Sequence, residues 1–278
     1  MIRLKEGITT QRIEDVAIFI APDELTNSER KEIHFWSTDP SERPEADFYA
    51  SLRIKAGDLR AFETLIACLD VGSGGVCLEV GAGQAWASAL LKRMVPGAEV
   101  HASDVSADAL RGTTRWEELL KCRLDGKWAF RSANSPFAEG VFDRIFTYAA
   151  FHHFGVDHDF SGPLRELLRI LRPGGQMVFL MEPCTPAALY RYSHSKINRV
   201  RKVVLEADID EDVLVVSDLK RQVQRLGGTF RHEFETTWAF REMGLAGVVR
   251  NALVRLVPLF GRLVPCAANL TIRKPSLD

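Results

Sequence analysis

A glycine-rich turn after a short apolar run is the feature of this sequence that most restricts its fold. The run 76–80 is apolar except for Glu79, Gly81 and Gly83 follow closely, and an alanine-rich segment with helical character comes next. A strand, a tight glycine turn and a helix N-terminus let the backbone approach an anionic or adenosine-bearing ligand closely. The turn therefore predicts an α/β fold with a ligand site beside these glycines.

Two kinds of ligand are compatible with such a turn. The dinucleotide fingerprint G-x-G-x-x-G would place its third glycine at Trp86, whose indole is too large for the close helix–strand packing that this glycine allows. The carboxylate of Glu79 would repel a pyrophosphate but attract an ammonium or a sulfonium group. A cationic adenosyl ligand is therefore favoured, and an NAD(P)-dependent oxidoreductase is the weaker interpretation.

An acidic residue also stands at the end of the next apolar run. Asp104 follows the glycine turn by about 20 residues, the spacing at which a carboxylate accepts hydrogen bonds from ribose hydroxyls. Val105 is then expected to lie against the adenine, and Ser106 to cap the following helix. The alternative is that Asp104 is only a turn or cap residue. In combination with the glycine turn, we favour ribose binding.

A helix and a buried strand are predicted further along the chain. One helical stripe carries leucines at the spacing i, i+3, i+4 and i+7, namely Leu164, Leu167, Leu168 and Leu171. The sequence Arg172-Pro173-Gly174-Gly175 ends this helix. Residues 176–181 are almost all apolar and predict a buried strand.

These motifs resemble those of a known enzyme family. Together with the pairs Pro136-Phe137 and Phe142-Asp143, they occur in the order found in class I S-adenosylmethionine-dependent methyltransferases of the methyltransferase type 11-like kind. The resemblance covers roughly residues 70–182. It implies a Rossmann-like, doubly wound α/β sheet of seven strands in the order 3-2-1-4-5-7-6, with the last strand antiparallel. It also implies S-adenosyl-L-methionine as the cofactor.

Two positions depart from the family pattern. Ala85 stands where a third glycine is common, and Ser132 stands where an acidic residue usually contacts the adenine amine. The hydroxyl of Ser132 or the amide of Asn134 can still form a hydrogen bond with the adenine edge. The cofactor contacts that the resemblance implies are Glu79, Gly81, Ala82, Gly83, Ala85, Asp104, Val105, Ser132, Ala133, Asn134 and Thr147.

Two adjacent histidines follow the fourth predicted strand, opposite the position expected for the transferred methyl group. His152 or His153 is the candidate general base, because an imidazole can take a proton near neutral pH. The alternative is that one histidine only organises the loop. Glu182, at the end of the fifth strand, is a second candidate for contact with the methyl acceptor. His158 lies between two aspartates, but this spacing does not suit a metal, and no metal site is expected.

The chain is predicted to divide into an N-terminal extension, residues 1–70, and a methyltransferase domain, residues 71–278. The extension is expected to be helical and to cover the cofactor. Its aromatic residues either form this cover or simply pack the extension onto the sheet, and they are His34, Phe35, Trp36 and Tyr49. Substrate-facing insertions are predicted at residues 183–225 and 240–265.

Residues 243–265 are unusually apolar for a connection between two strands, yet they include Arg250, Arg255 and Arg262. Arginines at this density exclude a membrane-spanning helix but are compatible with an amphipathic helix at a membrane surface. We favour a helix that packs on the sheet or against a second copy of the chain in a homodimer, because amphipathic core helices are commoner. Peripheral contact with a membrane is the alternative.

Charge and cysteine content narrow the class of protein. The formal net charge is −1, so no overall field attracts nucleic acid. The basic, aromatic segment 190–202 is followed by an acidic run, 206–212, and therefore predicts a solvated helix and not a nucleic-acid groove. The 5 cysteines are scattered and odd in number, which is typical of a reducing compartment without disulfides or zinc. No signal segment is visible, and the expected location is cytoplasmic.

Three functions follow as hypotheses. The favoured one is a methyltransferase that uses S-adenosylmethionine to modify a small molecule or a glycan, most readily at oxygen. The second is carbon methylation of a quinone-like or lipid substrate, which the apolar segment 243–265 suggests. The third is a non-enzymatic protein that only binds S-adenosylmethionine, with Ala85 and Ser132 as signs of weakened contact.

Overall fold

The computed structural model describes residues 2–20, 22–38, 48–204, 212–236 and 244–276. Ten strands form one sheet. They are β1 Gln11–Ile13, β2 Val16–Ile18, β3 Val76–Val80, β4 Glu99–Asp104, β5 Gly126–Ala129, β6 Phe142–Tyr148, β7 Leu171–Thr185, β8 Leu214–Val215, β9 Thr229–Phe234 and β10 Cys266–Arg273. The helices are α1 Asn27–Thr38, α2 Phe48–Leu65, α3 Trp86–Met94, α4 Ala107–Arg111, α5 Thr113–Leu120, α6 Ser161–Ile170, α7 Tyr190–Val204, α8 Val216–Arg225 and α9 Gly244–Leu256.

The central part of the sheet has the predicted strand order. Its strands run β5-β4-β3-β6-β7-β10-β9. This order is 3-2-1-4-5-7-6 when β3 is counted as the first strand and the short strand β8 is left out. Neighbouring strands from β5 to β7 are parallel, and β10 is antiparallel to both of its neighbours. The predicted fold class and the antiparallel last strand are confirmed.

The sequence does not predict three of the strands, and two of these correct the description of the N-terminal extension. β1 and β2 form a hairpin that joins the sheet beside β5, so the extension begins as sheet and is helical only later. The hairpin turns at Glu14, which has a positive φ of 54°. On β5, beside the hairpin, Lys127 Nζ binds Asp15 Oδ2 at 2.6 Å and Glu117 Oε2 at 2.9 Å. This largely buried ion-pair group fastens the hairpin to β5.

The hydrophobic core lies on both faces of the sheet, because successive side chains of a strand point to opposite faces. On β7, Met177 and Phe179 belong to one core, and Val178 and Leu180 belong to the other. Helix α6 covers the first face, whereas α2, α3 and α5 cover the second. With both faces covered, a ligand has access mainly at the carboxyl ends of the parallel strands.

Two predicted elements have different bounds in the structure. Helix α6 buries Leu164, Leu167 and Leu168 as predicted, but Leu171 is the first residue of β7 and not part of the helix. β7 is also much longer than the predicted run 176–181. The reason is its partner, because β10 pairs with β7 from Gln176 as far as Cys184 and so extends the strand beyond residue 181.

The predicted insertions contain α7, α8 and α9. Helix α7 holds the basic, aromatic segment, whereas residues 205–211, with most of the acidic run, lie outside the described residues. Residue 243 also lies outside them, and the rest of the apolar segment forms α9 and a 3₁₀ turn, Pro258–Arg262. No helix in the described part of the chain combines the length and the apolarity that crossing a bilayer requires.

Candidate active site

The glycine turn after β3 is packed so closely that two of its positions require glycine. Gly81 and Gly83 have positive φ values of 70° and 51°, which side chains disfavour. A Cβ on Gly81 would lie 2.8 Å from Ala150 Cβ, and a Cβ on Gly83 would lie 2.7 Å from the ring of Trp36. Carbon atoms in contact are normally about 3.5–4.0 Å apart. The turn is therefore held between the loop after β6 and helix α1.

The carboxylate of Asp104 lies at the end of β4, beside this turn. Its Oδ2 accepts a hydrogen bond from Gly83 N–H at 2.8 Å, and its Oδ1 accepts one from Ser106 N–H at 2.8 Å. A carboxylate offers about four acceptor positions, so Asp104 keeps acceptor capacity for a ligand. Burial raises the pKa of Asp104. Ser106 also caps α4 as predicted, since its hydroxyl accepts from Ala109 N–H at 3.2 Å.

Glu79 has a different role from the one that the sequence predicts. Its side chain is buried, and its Oε2 accepts hydrogen bonds from the amide at 2.9 Å and from the hydroxyl of Ser88, in the first turn of α3. Burial raises the pKa of Glu79 to about 8. The carboxyl group of Glu79 thus connects the end of β3 to the first turn of α3, the two elements that the glycine turn joins.

Helix α1 lies across the glycine turn and is connected to the domain by two ion pairs. Arg131, which follows β5, binds Glu29 at 2.9 Å. His153 Nδ1 lies 3.4 Å from Glu32 Oε1. Further along α1, Phe35 and Trp36 form part of the wall beside the turn. Helix α1 therefore lies over the turn, which is one of the two roles that the aromatic pattern leaves open.

A buried carboxylate organises the loop after β6. Glu182 Oε1 accepts hydrogen bonds from the hydroxyl of Thr147 at 3.0 Å and from the amides of Ala150 and Phe151 at 3.2 and 2.9 Å. Its Oε2 accepts from the amide of His152 at 3.2 Å and lies 2.9 Å from Nδ1 of the same residue. The side chain of Glu182 thus holds the loop whose Ala150 packs against Gly81.

A large cavity opens at the carboxyl ends of the parallel strands. Its volume is about 1520 Å³, whereas small-molecule pockets commonly enclose roughly 300–1,000 Å³. One end is lined by the glycine turn, Asp104 and residues 130–133. The other end is mainly apolar and includes Met181, Pro183, Cys184, Ile197, Val213 and Val264. The cavity has room for two ligands side by side.

Comparison with known proteins connects this geometry to a family. Residues 78–179 match the family model described as a methyltransferase domain. Over 126 residues the chain is 34% identical to the methyltransferase GfsG of Streptomyces halstedii, which covers 44% of this chain and 43% of that protein. Over 116 residues it is 30% identical to a demethylmenaquinone methyltransferase of Thermus thermophilus, covering 41% of this chain and 50% of that protein. The matches span half or less of these relatives.

A solved structure agrees in fold. The geranyl diphosphate C-methyltransferase of Streptomyces coelicolor A3(2), in complex with Mg²⁺, geranyl diphosphate and S-adenosyl-L-homocysteine, has a TM-score of 0.61. It is 14% identical, and the alignment covers 90% of this chain and 98% of that one. The strand order, the glycine turn and the matched domain all point to one family. Residues 78–179 therefore resemble a methyltransferase domain, and the fold is that of the class I S-adenosylmethionine-dependent methyltransferases.

The cofactor of this methyltransferase class, S-adenosyl-L-methionine, is compatible with the end of the cavity near Asp104. Gly81, Ala82 and Gly83 line this end of the cavity, and the two glycines place no side chain between the backbone and a ligand. The remaining lone pairs of Asp104 can accept hydrogen bonds from a ribose diol. Val105 and Ser132 line the same end and can contact an adenine ring.

The structure brings together seven of the eleven predicted cofactor residues at the cavity wall, namely Gly81, Ala82, Gly83, Asp104, Val105, Ser132 and Ala133. The other four lie elsewhere. Glu79 and Ala85 are buried beneath the turn. Asn134 is exposed and accepts a hydrogen bond from Lys5 at 3.4 Å, because a tight turn after β5 directs it outwards. Thr147 is fully buried and donates to Glu182.

The two candidate bases differ in position. His153 lines the cavity, whereas His152 is 4% exposed and directs Nδ1 to Glu182. Glu182 itself is completely buried and does not reach the cavity, so it is not placed to contact an acceptor. Among the predicted cover residues, Phe35 and Trp36 line the cavity, but Tyr49 is 75% exposed and His34 also faces solvent.

Tyr148 is a site residue that the sequence does not indicate. It ends β6, lines the cavity and packs its ring edge-on against Trp86, with centroids 4.8 Å apart. Its hydroxyl is buried and finds no hydrogen-bond partner within the described residues. Burial raises the pKa of Tyr148, so the hydroxyl keeps its proton and can donate it in a hydrogen bond. In sequence, a tyrosine within an aromatic strand is indistinguishable from a core residue.

Proposed function

We propose that this methyltransferase transfers a methyl group from S-adenosylmethionine to an apolar small molecule that carries a hydroxyl group. The observation that carries the proposal is that one continuous cavity joins the Asp104 end to a mainly apolar second end. When bound, the cofactor supplies a methyl group already activated on a sulfonium. The protein then contributes mainly by positioning the acceptor beside it.

The far end of the cavity determines the class of acceptor. Its apolar side chains remove an acceptor from water without offering the many polar partners that a glycan needs. Polar groups are the minority of its lining, and they include Ser193, Lys196, Glu235, Arg250 and Asn251. Such a set suits a hydrophobic body with one or two polar groups. An apolar acceptor is therefore favoured over a glycan.

His153 is the residue that we assign as the general base. It lines the cavity, and its Nδ1 lies near the carboxylate of Glu32, which stabilises the positive charge that the imidazole acquires with a proton. The hydroxyl of Tyr148 can donate a hydrogen bond to an acceptor oxygen. His152 positions this loop through its bond to Glu182 and takes no part in proton transfer.

Carbon methylation is the second candidate. It is supported by the likeness to demethylmenaquinone methyltransferases, one of which, from Mycobacterium marinum, is 32% identical over 124 residues. A phenolic or quinol-like acceptor offers both an oxygen and a neighbouring ring carbon, and the same base would serve either atom. The structural analysis of the methylated product separates the two candidates.

The test is a transfer assay with methyl-labelled S-adenosylmethionine and two panels of acceptors, hydroxylated aromatic or isoprenoid compounds and sugars. We expect label only in the apolar panel, and a loss of about 10²-fold or more in kcat for His153→Asn, since general bases contribute about 10²–10⁴-fold. The matched control is His34→Asn, because His34 is exposed and lies away from the cavity wall. Label in sugars alone, or an unchanged kcat for His153→Asn, would contradict the proposal.

Binding measurements separate enzyme from simple binding protein. Calorimetry with S-adenosylmethionine and S-adenosylhomocysteine is expected to give saturable binding of both ligands. Ala85 supports this expectation, because it adopts the left-handed conformation (φ 55°, ψ 33°) that the family glycine would supply and lies away from the cavity wall. Binding of both ligands without transfer to any acceptor would favour the non-enzymatic alternative.

A further inference from the structure

The segment that closes the far end of the cavity has two contrasting sides. On its inner side, Gly247 and Asn251 of α9 and residues 264–267 line the cavity. On its outer side a group of large apolar side chains is exposed, here called the α9 patch: Val249 (50% exposed), Leu253 (41%), Leu256 (78%), Val257 (52%), Leu259 (63%) and Leu263 (67%). A cluster of this kind on one element normally marks a binding surface.

The charges within this segment indicate what covers the patch. Residues 244–265 contain 3 arginines and neither aspartate nor glutamate, whereas the whole chain has a net charge of −1. Arg255 and Arg262 are exposed among the apolar residues of the patch. Apolar side chains that insert below the headgroups, with arginines at headgroup level, are typical of helices that lie in a membrane interface.

A second copy of the chain suits the patch less well. In a two-fold dimer the same surface faces itself, so the two copies would bring four arginines, Arg255 and Arg262 of each, into one interface. The segment provides no acidic group to compensate these charges. Anionic phospholipids do provide one, because each lysine or arginine near such a surface contributes about 1 kcal/mol to binding, which is about fivefold in affinity.

We propose that the α9 patch docks on the surface of an anionic phospholipid bilayer. The far end of the cavity then opens close to the bilayer, since the two sides of α9 belong to one helix. An apolar acceptor dissolved in the membrane reaches the site without crossing water. The route of the acceptor rests on the proposed function, whereas the docking does not.

The experiment is sedimentation of the full chain with vesicles of phosphatidylcholine alone and of phosphatidylcholine mixed with phosphatidylglycerol. We expect binding to the mixed vesicles that weakens as salt is raised. Arg255→Glu should reduce this binding about 25-fold, since it changes two charges at about fivefold each. Leu256→Asp should reduce it about tenfold or more, through the loss of buried apolar area.

Two control variants lie far from the patch. Arg12→Glu reverses an exposed charge on β1, at the opposite edge of the sheet, and Leu119→Asp alters a leucine of α5 that is 43% exposed. Both should bind the mixed vesicles as the parent chain does. Titration with S-adenosylhomocysteine should give the same dissociation constant for all four variants, which shows that each is folded.

Three results would overturn the docking proposal. They are no binding of the parent chain to the mixed vesicles, equal binding by the α9 patch variants and the controls, and self-association without vesicles that Leu256→Asp abolishes. The last result would assign the α9 patch to a second copy of the chain. A failure to bind S-adenosylhomocysteine would instead count against the proposed function, and the vesicle results would stand independently.

Discussion

Substitution of Glu182 by glutamine tests how the loop after β6 is held. The amide oxygen can replace Oε1 and keep the bonds from Thr147, Ala150 and Phe151. The amide nitrogen then faces the N–H of His152, a second donor, in place of Oε2. The ring Nδ1 of His152 can respond by changing tautomer, but the backbone amide cannot.

The expected loss of stability follows from these contacts. A buried amide without an acceptor costs about 1–3 kcal/mol. The bonds that remain also lose the benefit of a charged acceptor, and charged bonds are roughly twice as strong as neutral ones. Because such terms are not additive, we expect Glu182→Gln to lower the free energy of unfolding by about 3 kcal/mol. Thr147→Val removes one donor only and should lower it by about 1 kcal/mol.

Urea denaturation monitored by circular dichroism measures this effect, because the midpoint shifts while the slope m stays constant. Amide hydrogen exchange at Phe151 and His152 should accelerate in Glu182→Gln. The matched control is Glu233→Gln, whose parent carboxylate is 62% exposed and should contribute almost nothing. If Glu182→Gln unfolds within about 0.5 kcal/mol of the parent chain, the range of ordinary surface changes, the carboxylate does not hold the loop.

Three further predictions concern single side chains. Gly83→Ala should weaken S-adenosylhomocysteine binding about tenfold or more in calorimetry, because its Cβ would lie 2.7 Å from the ring of Trp36 and a shift in affinity of 1.4 kcal/mol is about tenfold. Burial raises the pKa of Glu166, but hydrogen bonds from Arg169 and Ser135 outweigh it and lower the pKa to about 2. The ionised Glu166 should therefore contribute about 3 kcal/mol to the free energy of unfolding. This contribution should be present above pH 4.5 and lost as the pH falls towards 2. Urea denaturation curves of Glu166→Gln should not show this pH dependence. Tyr148→Phe should raise KM for the acceptor severalfold and leave S-adenosylhomocysteine affinity unchanged.

The parts of the site that the sequence predicts are those set by short stretches of chain. The glycine turn needs Gly81 and Gly83 because two residues of one short turn must adopt positive φ, and this requirement is visible in the residues themselves. Asp104 follows a strand end at a spacing set by one βαβ unit, so its place beside the turn can also be predicted. Gly81, Gly83 and Asp104 all lie where the motif predicts them.

Other parts depend on contacts between distant residues. The ion pairs of Lys127 join it to Glu117 and to Asp15, which lies about a hundred positions away, and the short strands of the hairpin show no periodicity of their own. The role of Glu182 likewise depends on a loop 30 to 35 residues away. A local pattern carries no record of such pairings.

The direction in which a side chain points is also not predicted by the sequence. Glu79 has the position that the family motif implies, but it points under the turn to Ser88 and not into the cavity. Asn134 is only two residues from Ser132, yet a tight turn directs it to solvent. Sequence locates a residue along the chain, whereas the pitch of the turn decides which way its side chain faces.

The proposed cofactor site depends most directly on Asp104 as an acceptor for the hydroxyl groups of the cofactor. Calorimetric titration of the parent chain with S-adenosylhomocysteine should show one site per chain. Asp104→Ala should weaken this binding by about 10²-fold, since it removes two hydrogen bonds to a charged acceptor at about 1.5–3 kcal/mol each. Asp108→Ala, which alters an aspartate of α4 that is half exposed, should bind as the parent chain does. Equal affinity for the parent and Asp104→Ala would contradict the proposed cofactor site.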